Sequence, residues 1–376
     1  VSDPARVANP IDAFVLAKLE DEGLGFSPPA DAVTLTRRLS LDLTGLPPEP
    51  GSSPSVDQLM DSPHFGERWT MPWLDASRYA DSNGFQGDPD RFAWPWRDYM
   101  IRSFNDNKPH DQLIIELLAG DLLESPTDDQ LVATAFNRNH PVSNEGGALN
   151  NELIYNYRVD RVDATATSFL GLTFACSQCH DHKYDPLSQS EYYQFMAFFA
   201  NMDEDGLPRH KINAHGFTYA IAKPFHKIES PELARPLAEA RKAFDHAESR
   251  WKSAEKQALE SMVKWVQELD PKEFEASDHP DGIKTLVANR KIGPIKPWER
   301  EKLLSFYLKD VLKNQEWLDL QSDFKARQAE LGKIQSQLPV VMVMREKAQP
   351  AAYPVHSRGV YDGQTGDPLP CLLYTS

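Results

Sequence analysis

Apolar residues recur at helical spacing along nearly the whole chain, and this feature restricts its fold more than any other. One such segment ends at Gly23 and the next ends at Gly45 before two prolines, which are ordinary signals for the end of a helix. The apolar stripes predicted for these first two helices consist of Phe14, Val15, Leu19, Leu35, Leu39 and Leu43. No alternating run of convincing length predicts a substantial strand, so we expect an all-α fold.

A long helix is predicted over roughly residues 150–171, immediately before a pair of cysteines. After the cysteines, Ser188 and Glu191 have the spacing of a capping box, in which each side chain bonds the other residue's backbone amide and a helix begins. Shorter helices are predicted around residues 66–80, 94–104, 110–120 and 129–139. The sequence therefore predicts a multi-helix domain over residues 1–203.

Residues 204–228 are polar and irregular, and we interpret them as a linker. Beyond them, two segments carry apolar residues that alternate four and three residues apart, which is the pattern of a coiled-coil seam. The seam residues of the first segment are Leu237, Ala240, Phe244, Ala247, Trp251, Ala254 and Ala258. Those of the second, which misses one turn of the pattern at Arg327, are Trp317, Leu320, Phe324, Leu331, Ile334 and Leu338. We predict an antiparallel, coiled-coil-like helical hairpin over residues 229–340, and the start of a second, truncated domain over residues 341–370.

Charge and composition exclude several classes of protein. The formal net charge of −16 argues against nucleic acid as a partner, because phosphate binding needs a basic surface. No run approaches the roughly 18 apolar residues of a membrane span, so we expect no span in this chain. The chain has 3 cysteines, of which two are clustered, so it is not a disulfide scaffold.

The clustered cysteines form the motif Cys-x-x-Cys-His with Cys176, Cys179 and His180. Covalent attachment of haem c needs two thiols that reach neighbouring vinyl groups, followed directly by a histidine that binds the iron. A zinc ion could use the same thiols with His180 or His182, although a fourth ligand is not obvious. A disulfide or a pair of inert thiols is the remaining interpretation, whereas an iron–sulfur cluster needs about four thiolates.

Three residues are candidates for a sixth iron ligand. His140 lies in a polar loop rich in Asn and Gly, where a ligand could be presented and where a solvated histidine is equally ordinary. Met196 and Met202 follow the motif at suitable distances, but Met196 also fits the apolar stripe of its helix, and methionine commonly fills cores. His182 is too close to His180 to reach the opposite face of a haem, so we expect it to form a hydrogen bond to a haem propionate or to the backbone.

Acidic side chains near the motif leave a metal-dependent hydrolase open as an interpretation, because paired carboxylates serve acid–base chemistry and hard cations prefer oxygen ligands. No spacing among these residues singles out such a reaction. Asp160 and Asp163 lie on one helix face beside Arg158 and Arg161, which is most simply a salt-bridged surface.

Five stretches of the chain together resemble the planctomycete-type cytochrome c domain family over about residues 11–202. They are RRLSLDLTGLPPEP, SPHFGERWTMPWLDASRYADSNG, AGDLL, FNRNHPVSNEGG and RVDRVDATATSFLGLTFACSQCHDHKYDPLSQSEYYQFMAFF. The resemblance implies one covalent haem c on Cys176 and Cys179, with His180 as the proximal iron ligand. It also implies a protein that is exported and matured outside the cytoplasm. Members of this family are associated with extracytoplasmic oxidation or polysaccharide breakdown, without an established activity.

Both ends of the chain carry expectations of their own. The chain begins with Val1 instead of Met, so we expect its natural start and any signal peptide to lie upstream. Residues 371–376 read CLLYTS, which the end of a common sequencing adapter can encode, and we interpret them as an artefact. The segment before them resembles the passage into a second domain of unknown function, so a missing carboxyl-terminal domain is expected.

The sequence thus predicts a cytochrome-c-like, periplasmic or cell-surface protein that serves electron transfer or an oxidation coupled to it. A redox partner protein is expected, and no nucleic acid. Two alternatives stay open. One is a metal-dependent hydrolase that uses His140, His180 and His182, and the other is a non-catalytic interaction module in which the cysteine pair is structural.

Overall fold

A computed structural model describes residues 1–85, 87–214, 217–228, 231–289, 296–349 and 353–369. It is mostly helical with three small two-stranded sheets, which confirms the helical class and adds strands to it. The α-helices are α1 (Pro10–Asp21), α2 (Ala32–Thr44), α3 (Val56–Met60), α4 (Pro63–Ala76), α5 (Trp94–Asn105), α6 (His110–Ala119), α7 (Asp128–Ala133), α8 (Asn150–Thr165), α9 (Gln189–Ala200), α10 (Pro231–Glu268), α11 (Pro271–Ala276), α12 (Asp281–Asn289), α13 (Pro297–Phe306) and α14 (Gln315–Gln335). The strands are β1 (His210–Ala214), β2 (Phe217–Ile221), β3 (Phe225–Lys227), β4 (Val340–Met342), β5 (Tyr353–His356) and β6 (Gln364–Leu369).

The local signals for helix ends act as expected. Ser188 caps α9 and forms the predicted capping box with Glu191. Gly45 ends α2 in the left-handed conformation, with φ 71°, which glycine adopts without the steric cost that a Cβ brings. Short-range hydrogen bonding thus decides where these helices begin and end.

The apolar stripe predicted for α1 is wrong. Phe14 is 80% exposed and Val15 is also exposed, whereas Leu16 is the buried residue of this helix. Leu35 of α2 is exposed as well. Periodicity predicts a helix, but the face that is buried depends on where the neighbouring elements lie.

The main core forms around α8 and α9, and it includes residues far apart in sequence. Tyr192 and Tyr193 of α9 pack in one buried cluster with Met344 and Tyr353. The residues expected to begin a separate second domain therefore complete the core of the first. The start of a second domain at residue 341 stays a prediction, and these contacts show that the late residues pack against α9.

The segment predicted as a linker contains β1, β2 and β3. Strand β1 pairs antiparallel with β2, and β3 pairs antiparallel with β4, with Phe225 opposite Met342 and Lys227 opposite Val340. These strands are short, and long-range pairing is what stabilises β3, so local sequence signals did not predict them. The β3–β4 pair brings the two ends of the helical insertion 229–338 together.

The helical insertion has a core of its own, formed within residues 251–324. Helix α10 packs along α14, where the ring centroids of Phe244 and Phe324 are 5.7 Å apart. Three further helices, α11 to α13, fold between them, where the predicted hairpin has none. Of the helices in the described parts of the chain, none combines the length and the apolar character needed to cross a membrane.

Candidate functional site

The cysteine motif follows directly on α8. A single π-helical turn, Ala166–Leu170, extends this helix, and Gly171 then reverses the chain with φ 65°. A short 3₁₀ helix, Phe174–Gln178, carries Cys176, and Cys179 follows it. The amide of Cys179 donates to the carbonyl of Cys176 at 3.4 Å, so the two cysteines lie in one turn.

The three motif side chains are accessible. Cys176 and Cys179 are free thiols, and both are exposed. His180 is also exposed, and its Nδ1 lies 2.7 Å from the carbonyl oxygen of Asp181. Because a carbonyl only accepts, Nδ1 is the donor in this contact, so in the neutral ring the lone pair lies on Nε2. Two accessible thiols followed by an imidazole with a bare Nε2 fit the donor set that haem c requires.

The loop after the motif is held by backbone hydrogen bonds to His182. The Nδ1 of His182 accepts from the amides of Tyr184 at 3.3 Å and Asp185 at 2.9 Å, while its own amide donates to Leu187 at 2.7 Å. With Nδ1 accepting, the ring proton lies on Nε2. His182 therefore forms hydrogen bonds to the backbone, as its closeness to His180 led us to expect.

Two contacts tie the motif to α9. The carboxylate of Asp181 accepts from the amide of Gln189 at 2.8 Å, in the first turn of that helix. The hydroxyl of Tyr193 donates to the carbonyl of Gln178 at 2.9 Å, directly before Cys179. The motif is thus fixed to a rigid helix from both sides of His180.

A late part of the chain forms one wall of the motif. The thiol of Cys179 donates to the carbonyl of Arg358 at 3.4 Å, and the hydroxyl of Tyr155 donates to the carbonyl of Gly359 at 3.0 Å. Gly359 has φ +70°, and a Cβ there would lie 2.9 Å from the Cys179 sulfur. Only glycine meets both requirements without displacing the thiol.

His356 is a buried residue of this wall that sequence reasoning missed. It is 1% exposed, and its ring stacks on Tyr155 and Tyr193 at centroid distances of 4.7 and 5.5 Å. Its Nδ1 donates to the carbonyl of Val360 at 2.9 Å, whereas its buried Nε2 has no partner among the described residues. Burial holds the pKa of His356 below its ordinary value, so the ring is neutral. No local signal marks this histidine, because its neighbours come from α8 and α9.

His140 is not presented by a solvated loop. It is 1% exposed, its Nδ1 donates to the carbonyl of Pro141 at 3.0 Å, and its Nε2 accepts from Arg161 at 3.0 Å. Its ring also stacks on Tyr157 at 4.2 Å. Burial, and then the charge of Arg161, hold the pKa of His140 well below its ordinary value. Both ring nitrogens are therefore engaged.

The two methionine candidates are buried too. Met196 is fully buried in the core cluster of α8 and α9. Met202 is also buried, and its sulfur lies 3.8 Å from Nη1 of Arg138. All three candidates for a sixth ligand are thus buried, and none is exposed as His180 is.

The predicted salt-bridged surface around Arg161 is wrong, because this arginine is fully buried. Its Nη1 and Nη2 donate to the two carboxylate oxygens of Glu204 at 3.0 and 2.6 Å, and Arg138 donates to the same carboxylate at 3.0 Å. Burial acts to raise the pKa of Glu204, but the guanidinium groups of Arg161, Arg138 and Arg158 outweigh it and hold that pKa below its ordinary value. The expected surface is instead an ionic core that joins α8 to residue 204.

The two aspartates of the same helix differ from each other. Asp160 forms an ion pair with Arg78. Asp163 has a buried Oδ1 without a partner among the described residues, and burial, followed by the charge of Asp160, raises its pKa to about 6. In the part of the chain that the structure describes, no group of three or more His, Cys, Asp or Glu side chains is placed to hold a metal ion.

No curated protein and no solved structure matches the chain. The family model of PSCyt2, a protein of unknown function (DUF1549), matches residues 10–204, just over half of the chain. The matched range contains the cysteine motif and Glu204 but not Arg358 and Gly359, which form the late wall. The chain therefore belongs to the PSCyt2 family of proteins of unknown function.

Proposed function

We propose that this chain is an extracytoplasmic c-type haem protein that serves electron transfer or an oxidation coupled to it. One observation carries the proposal: Cys176 and Cys179 are free and exposed in a single turn, and the exposed His180 directly follows them with a bare Nε2. The two thiols form no disulfide with each other, so the alternative in which this cysteine pair is a structural cross-link has less support.

The motif residues have separate roles in this proposal. Each thiol would add across one vinyl group of a haem, so that sulfur bonds to carbon and the thiol hydrogen goes to the other vinyl carbon. No oxidant is consumed in that addition. The bound group supplies an iron that alternates between the ferrous and ferric states. His180 would hold the iron through Nε2, while the Asp181 carbonyl fixes the ring through Nδ1.

The three candidates for a further iron ligand differ from His180. His140, Met196 and Met202 are all buried, and His140 has no free ring nitrogen. We therefore propose that, were a haem bound at this motif, His180 would hold its iron, and that these three side chains would not reach it as they are packed in the described part of the chain.

The proposal also includes the type of fold of the two helical parts and the location of the protein in the cell. The coiled-coil-like hairpin is supported by the packing of α10 along α14, and the cytochrome-like fold of the first domain by the family resemblance. A periplasmic or cell-surface location, a redox partner protein, a further carboxyl-terminal domain and a link to polysaccharide breakdown are supported by the family resemblance alone. A hydrolase that uses His140, His180 and His182 has less support, because His140 is buried against Arg161 while His180 is exposed.

A denaturing gel stained for haem tests this function. The protein is exported from a host that has cytochrome c maturation machinery, and a Cys176→Ala/Cys179→Ala variant is run beside it. We expect staining in the parent that disappears in the variant, while a Met71→Ala variant on the exposed face of α4 stains as the parent does. A folded, exported parent that does not stain would overturn the proposal.

A further inference from the structure

A groove of about 420 Å³ lies between α10, α13 and α14 in the helical insertion. Its volume falls in the range of roughly 300–1,000 Å³ that is typical of small-molecule sites. The groove lies outside residues 10–204, which the family model matches, and none of the residues proposed to hold haem lines it. It therefore needs an explanation of its own.

Trp298 borders this groove and is 59% exposed. It lies in the first turn of α13, directly after Pro297. The ring of this proline stiffens that turn. Trp251 of α10 also lines the groove but is buried. A large aromatic ring left in water on a rigid helix is a surface that an apolar face of a ligand can cover.

Gln321 supplies the polar counterpart. It is 9% exposed and is the buried residue of α14. Gln321 lines the groove, and so does Gln328 two turns later on the same helix. Their donors and acceptors are available to a molecule in the groove.

The charges that line the groove nearly cancel. Lys325 pairs with Glu301 at 2.8 Å, from α14 to α13, and Lys252 pairs with Glu248 at 3.0 Å. Of the charged residues that line the groove, Arg300 and Glu255 have no ion pair in the described part of the chain, and their charges are opposite. A site for phosphate or for a polyamine needs an excess of one sign, so the balance favours a neutral ligand.

We propose that this groove binds a neutral sugar unit of an oligosaccharide. A pyranose ring has one face of C–H groups, which pack on an aromatic face such as that of Trp298. Its hydroxyl groups both donate and accept, as the amides of Gln321 and Gln328 do. The combination of one exposed indole, two amides and balanced charge meets each requirement of such a ligand.

Isothermal titration calorimetry of the full chain tests the proposal. The probes are the neutral hexasaccharides of glucose, mannose, galactose and xylose, with inorganic phosphate and a hexaproline peptide as competing ligand classes. We expect saturable binding of at least one sugar. Trp298→Ala and Gln321→Leu should each weaken that binding by about tenfold or more, the effect of losing one stacking or one buried polar contact.

Trp69→Ala is the matched control, because Trp69 is an exposed tryptophan of α4, outside the groove. It should bind sugar as the parent does, and circular dichroism should show that all variants are folded. Failure of every sugar to bind, or binding that both groove variants retain, would overturn the proposal. Binding of phosphate or of the hexaproline peptide in preference to all sugars would overturn it as well.

Discussion

Gly359 lies so close to Cys179 that a methyl group at position 359 would come within 2.9 Å of the cysteine sulfur. The neighbouring carbonyl of Arg358 accepts a hydrogen bond from the same thiol. The haem-attachment motif proposed here is therefore bounded by residues about 180 positions later in the chain. This relationship makes the late strands part of the site.

Replacement of Gly359 by alanine should lower the free energy of unfolding by about 2 kcal/mol. Roughly 1–2 kcal/mol comes from the left-handed backbone at this position, and the remainder from the contact with Cys179. Gly366→Ala is the matched control, since Gly366 has φ +73° and a Cβ at that position would meet no neighbour within 4 Å. Urea denaturation measures both. The contact would be contradicted if both variants lost the same free energy of unfolding and if adding Cys179→Ala to Gly359→Ala restored none of it.

Glu204→Gln should destabilise the protein by about 3–5 kcal/mol, because it leaves the buried Arg161 and Arg138 without a compensating charge. The folded-state pKa of Glu204 is below its ordinary value, so this contribution is present at neutral pH and is lost as the pH falls through that folded pKa. Glu330→Gln is the control, because Glu330 pairs with Arg327 on the surface. An exposed ion pair of this kind contributes at most about 1 kcal/mol to stability. Similar small losses in both variants would show that the buried cluster is not needed for stability.

Asp163→Asn should stabilise the protein at neutral pH. The folded-state pKa of Asp163 is about 6, above the value of 3.8 for an unperturbed aspartate, so between these two values the folded state keeps a proton that the unfolded state has lost. The cost of ionisation therefore builds up across this interval and is complete at neutral pH. The gain should be up to about 2 kcal/mol at pH 7 after solvent screening, and it should vanish near pH 4. Denaturant unfolding at both pH values measures it, with Asp319→Asn on α14 as a control that changes little at either. A gain that does not depend on pH would contradict the assignment.

The helical insertion should be removable. Residues 229–338 can be replaced by Asn-Gly, because β3 and β4 already pair and the amide of Ile228 donates to the carbonyl of Pro339 at 2.9 Å. We expect the shortened chain to unfold cooperatively and to stain for haem when exported. Truncation after residue 349 should instead prevent stable folding, because Tyr353 leaves the core of α8 and α9. The opposite pair of results would show that the late strands form a separate domain.

The parts of the fold that depend on short-range interactions were predictable from the sequence. The helix that contains α8 and the capping box at Ser188 both follow from neighbouring residues, whereas the π turn that ends this helix was not predicted. The burial of α1 was predicted wrongly, because the position of its neighbours decides whether Phe14 or Leu16 is covered.

Most of what surrounds the motif depends on contacts between distant residues, which local patterns do not contain. His356 and Gly359 lie in a segment that the sequence assigned to another domain. His140 stands in a polar stretch of sequence, yet Arg161 and Tyr157 bury it. Glu204 lies at the edge of a predicted linker, where nothing marks it as the partner of three arginines.

Mass spectrometry of the exported protein tests the central claim most directly. The protein is digested with trypsin under denaturing conditions, and the mass of the peptide that contains Cys176, Cys179 and His180 is measured. The account predicts a gain of one haem on this peptide, bound through both sulfurs, and no gain in Cys176→Ala/Cys179→Ala. An unmodified peptide from folded protein, or haem that is lost on denaturation, would contradict it.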